Sequence, residues 1–141
     1  MTSDFYMDKI IKVSKKALII TDGMEPVQKT AKEISAMMKE CNVKICSADK
    51  FSGAELLPAD YFIIGCENPK PDSFSYLEEM LCHINLASRR CGLYSNKEKT
   101  LNYLLKIVKD CEADVYEPLF LKDEIINKTK IKKWLNGFIA E

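Results

Sequence analysis

Residues 17–40, ALIITDGMEPVQKTAKEISAMMKE, change hydrophobic period partway along, and that change decides the fold. Ala17–Thr21 is a short apolar run rich in β-branched residues and closed by Asp22-Gly23, which reads as a fully buried strand. From Pro26 to Glu40 the residues Val27, Ala31, Ile34, Met37 and Met38 recur at helical spacing. Pro26 suits a first helical turn, where a missing N–H costs nothing. A buried strand running through a tight turn into an amphipathic helix is the opening of a βαβ unit.

The same alternation continues outward to the end of the chain. Val43–Cys46, Tyr61–Ile64 (ended by Gly65) and Cys91–Tyr94 read as further strands, the last beginning at Arg89 or Arg90. Ser75–Asn85 reads as a helix, with Ser75 and Glu78 as a capping box. Ser95-Asn96-Lys97-Glu98 repeats that pattern and opens a helix carrying Leu101, Leu104, Leu105, Val108 and Cys111. Asp114–Leu121 is a fifth strand broken by Pro118, and Asn127–Ile139 is a closing helix with Ile131, Trp134, Leu135 and Phe138 in one stripe. Asp49–Pro58 reads either as irregular chain or as a short turn of helix. Strands alternating with helices predict a parallel sheet covered on both faces; right-handed crossovers limit the topologies to a few, and five strands fit the doubly wound orders. The expected architecture is α/β with three α/β/α layers. Residues 1–15 are expected as an N-terminal extension and 16–141 as one domain.

Composition narrows the function classes. The chain has 141 residues, 47% hydrophobic and 30% charged, the balance of a globular protein. Its 21 basic and 21 acidic residues cancel, which argues against nucleic acid as a partner. Apolar runs such as Ala17–Ile20 are too short to cross a bilayer, so no membrane role is expected. The start, MTSDFYMDKIIKVSKK, lacks the apolar core of a secretory signal, and with six cysteines it points to the reducing cytoplasm. Cys41, Cys46, Cys66, Cys82, Cys91 and Cys111 contain no CxxC. Cys41 and Cys46 are separated by four residues, but no second pair follows, so buried free thiols are expected rather than zinc.

In a doubly wound sheet, ligands bind beyond the carboxyl ends of the strands. That places Thr21–Val27, Gly65–Ser73 and Tyr94–Thr100 at the candidate site. The chain here resembles the flavodoxin family, small electron carriers that hold FMN on three such loops. Ala59-Asp60-Tyr61-Phe62-Ile63-Ile64-Gly65-Cys66, followed by Asp72-Ser73 and a helix, is similar to the family's third strand. Glu117-Pro118-Leu119 with Ile131-Lys132-Lys133-Trp134 is similar to its last strand and closing helix. The resemblance spans residues 16–141 and implies a five-stranded parallel sheet in the order 2-1-3-4-5.

It also implies FMN-binding positions at Thr21, Asp22, Gly23, Met24, Glu25, Pro26 and Val27. The second loop adds Gly65, Cys66, Glu67, Asn68 and Pro69, and the third adds Tyr94, Ser95 and Asn96. The residues at these positions depart from the family. Its phosphate loop is a run of Ser, Thr, Gly and Asn; counted back from Thr30-Ala31, the same places here hold Asp22 to Val27. Asp22 and Glu25 put two carboxylates beside a phosphate and repel it if either faces inward; Asp22 alternatively turns away and caps the helix. Pro69 stands where the family presents an aromatic ring to the flavin. Tyr94 either reaches a ligand from the strand end or is an ordinary strand-end tyrosine. The third loop is shortened, because Ser95 already opens the next helix.

Other chemistries on the same sheet fail residue by residue. A response-regulator receiver needs an Asp at the third strand tip, where this chain has Gly65-Cys66. A low-molecular-weight tyrosine phosphatase needs Arg where Asp72 stands. No G-x-G-x-x-G occurs. Glu67 beside Cys66 disfavours a thiolate. His83, the only histidine, lies midway along its predicted helix, away from the ligand end. Lys122, Lys128, Lys130, Lys132 and Lys133 read as a solvated face or as a surface for an acidic partner. Two functions are therefore expected. The first is a non-catalytic binding or interaction protein, with an unidentified protein partner and no FMN or weakly bound FMN. The alternative is a working FMN electron carrier.

Overall fold

Alternating side chains along each strand build two cores, one on either face of a single sheet, in a computed structural model that describes residues 15–122 and 126–140. β1 (Lys15–Thr21) pairs in parallel with β2 (Cys41–Ser47) on one side and β3 (Tyr61–Gly65) on the other. β3 pairs with β4 (Arg90–Ser95), Ile63 lying opposite Gly92. Two short strands, β5 (Asp114–Val115) and β6 (Leu119–Phe120), share the fifth position, and both run parallel to β4. Pro118, with no N–H to give, falls in the gap between them. The sheet order is β2-β1-β3-β4-β5, the doubly wound 2-1-3-4-5 order implied by the resemblance.

Among the described residues five helices cover the sheet: α1 (Glu25–Met37), α2 (Gly53–Leu56), α3 (Ser75–His83), α4 (Glu98–Ile107) and α5 (Lys128–Ile139). Leu18, Ile20, Phe62, Ile64, Cys91 and Leu93 pack with Leu77 and Leu81 of α3 and with Leu101 and Leu104 of α4. Their neighbours in sequence, Ala17, Ile19, Ile63 and Tyr94, face the other way, onto α1 and α5. Ile19 and Ile63 are wholly buried, and burial of each contributes roughly 1.5–3 kcal/mol. At Gly92 a Cβ would lie 2.7 Å from the Trp134 ring. Its absence lets Trp134 and Phe138 stack, centroids 5.0 Å apart, against the strand.

Several boundaries differ from the sequence reading. α1 stops at Met37 instead of reaching Glu40, since β2 begins earlier, at Cys41. Asp49–Pro58 resolves in favour of a helical turn: Ser52 Oγ accepts from Ala54 N at 3.2 Å and opens α2. The Ser75–Glu78 capping box does not form. A 3-10 turn over Asp72–Phe74 leads straight into α3, and Glu78 instead accepts from the Tyr103 hydroxyl at 2.6 Å. The Ser95–Glu98 box is also absent: Ser95 Oγ accepts from Lys97 N at 3.2 Å, and α4 starts at Glu98 with no side-chain cap. α3 ends at His83, so that histidine is exposed in a last helical turn and not midway. α4 ends at Ile107, and Cys111 belongs to a separate 3-10 turn. The expected N-terminal extension, residues 1–15, lies outside the described residues except for Lys15, which starts β1.

Candidate functional site

Three loops leave the carboxyl ends of β1, β3 and β4 side by side: Asp22–Met24, Cys66–Pro71, and the two residues Asn96 and Lys97. In the first loop Thr21, buried at the tip of β1, accepts from Gly23 N at 3.2 Å and donates to Gln28 Oε1 at 2.7 Å. Gly23 takes φ +82°, a left-handed conformation open to glycine without strain. Met24 ends the loop 46% exposed, without a side-chain cap on α1. Glu25, weighed from sequence as a second charge against a phosphate, instead points outward to Lys29 Nζ at 3.2 Å, its i+4 partner on the helix surface. Pro26 occupies the first turn as its sequence context predicts.

Asp22 does not cap α1; its carboxylate faces into the loop end. One carboxylate oxygen accepts from Met24 N at 3.0 Å, within its own loop. The other accepts from Glu67 N at 2.8 Å, across the site in the second loop. The first two loops are therefore joined through an internal carboxylate. The second and third are joined as well: Thr100 Oγ1, in the first turn of α4, donates to Glu67 O at 2.9 Å, and Lys97 Nζ donates to Asn68 Oδ1.

Tyr94 runs underneath. It is 2% exposed, and its hydroxyl donates to the carbonyl of Val27, in α1, at 2.8 Å. Its ring lies across Gly65, so closely that a Cβ there would sit 2.1 Å from Tyr94 Cζ. Of the two sequence readings, the buried strand-end tyrosine is the one observed. Burial, with Asp22 nearby, pushes its hydroxyl well above the ordinary phenol range.

Cys66 is buried at the end of β3, its Sγ 2.8 Å from Asn68 O. Burial first, and then the Asp22 carboxylate, pushes this thiol far above its ordinary value, which disfavours the thiolate. Pro69 is half-buried, and Lys70 beside it is held at φ +54° between two prolines. Ser95 is buried, while Asn96 is half-buried on the third loop. Phe74 belongs to the core and offers no platform.

The fold brings all fifteen residues of the three predicted loops to one end of the sheet. Sequence reasoning assigned no role to Gln28, which holds Thr21, or to Lys97 and Thr100, which fall within Tyr94–Thr100 and tie the third loop to the second. Their only signal was position, in or beside the first turn of a helix adjoining a candidate loop. The six cysteines are free, and among the described residues no group of three or more His, Cys, Asp or Glu is placed to hold a metal ion. No described helix is long and apolar enough to cross a membrane.

No family model and no curated protein matches the chain. Solved structures do. A short-chain flavodoxin associated with a non-canonical PDU bacterial microcompartment aligns at TM-score 0.74 and 12% identity, over 89% of this chain and 97% of that one. Oxidised flavodoxin 2 from Bacillus cereus aligns at TM-score 0.72 and 17% identity, over 87% and 97%. Fusobacterium nucleatum flavodoxin bound to flavin mononucleotide aligns at TM-score 0.69 and 14% identity, over 87% and 96%. Strand order, layering and these neighbours agree that the chain has the flavodoxin-like fold.

Proposed function

We propose that this is a non-catalytic binding or interaction protein of flavodoxin-like fold whose loop end binds FMN weakly or not at all. The observation that carries the reading is the Asp22 carboxylate, which stands in the loop where a phosphate would need donors and already takes Met24 N of that loop and Glu67 N of the next. A like charge at about 4 Å costs about 4 kcal/mol near a protein surface. A helix N-terminus returns only about 0.3–1 kcal/mol at an exposed site. The hydroxyls lost from the first loop were each worth about 1.5–3 kcal/mol toward a charged acceptor. Pro69 offers no π-face, and the Tyr94 ring is committed beneath the loops. On this reading the residues present do not fit FMN. Six free thiols suit a reducing compartment, the cytoplasm.

The electron carrier remains the second reading, supported by FMN-bound neighbours of the same fold. Calorimetric titration with FMN, with visible absorbance of the mixture, separates the two. A combined loss of about 6 kcal/mol is more than four powers of ten in affinity, so micromolar or weaker binding is expected. Submicromolar binding to the unmodified protein would refute the reading and favour the carrier. Binding recovered only in an Asp22→Ser, Met24→Thr variant would locate the defect in the first loop.

A further inference from the structure

The chain is neutral, yet its charge is not evenly spread over the two helix layers. α1 and α5, which cover the same face of the sheet, carry six lysines and two glutamates, an excess of four positive charges. α3 and α4 on the opposite face carry three glutamates and two lysines. The glutamates on the basic layer are already engaged: Glu25 pairs with Lys29 at 3.2 Å and Glu33 with Lys128 at 3.9 Å. Lys130 Nζ rests 5.7 Å above the Phe120 ring. Lys32, Lys132 and Lys133 are exposed, with no carboxylate within 4 Å among the described residues.

The four lysines of α5 stand where helix electrostatics disfavours them. Lys128 and Lys132 are four residues apart, and Lys130 and Lys133 three, so like charges sit one turn from each other. α5 has no acidic residue in its first turn, and Lys128 and Lys130 meet the positive end of its dipole. A sequence shaped only for helix stability would place acids there. Local rules broken on an exposed face are expected where a surface meets something else.

We infer that the α1/α5 face is a docking surface for an acidic surface of another protein. This rests on the reading of the chain as an interaction protein, and it names the kind of partner. Charge complementarity selects that occupant. α1 and α5 contain no arginine, so the bidentate forks that favour phosphate are missing. Glu25 and Glu33 interrupt the basic field, which suits a partner of mixed sign dominated by carboxylates rather than a continuous phosphate backbone.

The test measures fluorescence anisotropy of a labelled glutamate-rich peptide with the full chain. Binding should weaken steeply as salt rises from about 0.05 M to about 0.3 M, as screening shortens the reach of exposed charges. Lys32→Glu, Lys132→Glu and Lys133→Glu together should weaken it at least about tenfold, or about 1.4 kcal/mol. The milder Lys→Gln set at the same positions should give a smaller loss with unchanged circular dichroism. Reversal of Lys99 and Lys106 on the opposite layer should leave affinity within about twofold. Equal loss in that control, no binding to the peptide at low salt, or tighter binding to duplex DNA or to phosphatidylserine vesicles would overturn the assignment. The FMN titration is independent: tight flavin binding with intact peptide docking removes the loop-end reading alone, and the converse removes this one alone.

Discussion

Gly65→Ala probes the contact on which the loop end is built. The new Cβ would lie 2.1 Å from Tyr94 Cζ, 2.4 Å from Cε1 and 2.5 Å from the hydroxyl oxygen. Both residues are buried, on adjacent strands and directly paired in register, so the backbone has little room to give. The ring must leave its place and release the Val27 carbonyl. Overpacking of this kind costs roughly 1–3 kcal/mol. The lost hydrogen bond adds about 1 kcal/mol. A stiffer unfolded chain returns about 0.4–1 kcal/mol. The net expectation is a loss of about 2–3 kcal/mol, read from urea unfolding of the variant at unchanged slope. Tyr94→Ala alone should cost about 3–5 kcal/mol, because it leaves a cavity under α1. In that background Gly65→Ala should cost almost nothing, giving a coupling of about 2 kcal/mol. A single-variant loss under about 0.5 kcal/mol, or additive losses in the pair, would show that the ring does not rest on Gly65.

Asp22→Ala should release Glu67 N and Met24 N together, costing about 1–3 kcal/mol and raising amide exchange at Glu67 while β3 stays protected; unchanged exchange at Glu67 would deny the bridge between the loops. Alkylation of the native protein should reach the exposed Cys82 first and the buried Cys66, Cys91 and Cys111 only on unfolding. Burial, with Glu55 nearby, pushes Cys46 up to about 11, so its labelling rate should keep climbing with pH toward that value; a plateau near pH 9 would contradict the environment described.

Hydrophobic period carries the fold class, and the family resemblance carried the strand order. Ala17–Thr21, Tyr61–Ile64 and Cys91–Tyr94 are apolar on both faces because helices cover both, and the intervening stripes allow few connections other than those found. Even the break at Pro118 is legible, since a missing N–H is a property of the residue itself. Helix starts are less so. Ser75–Glu78 and Ser95–Glu98 carry the capping-box pattern, but Glu78 meets Tyr103, which lies on α4, and the spacing of a local motif cannot register so distant a competitor. The site divides in the same way. That its three loops share one end of the sheet follows from topology. Which way Asp22 and Tyr94 turn was decided by partners 45 and 67 residues away, Glu67 N and Val27 O. Those backbone groups are present in any sequence, and only the packed sheet brings them within hydrogen-bonding reach.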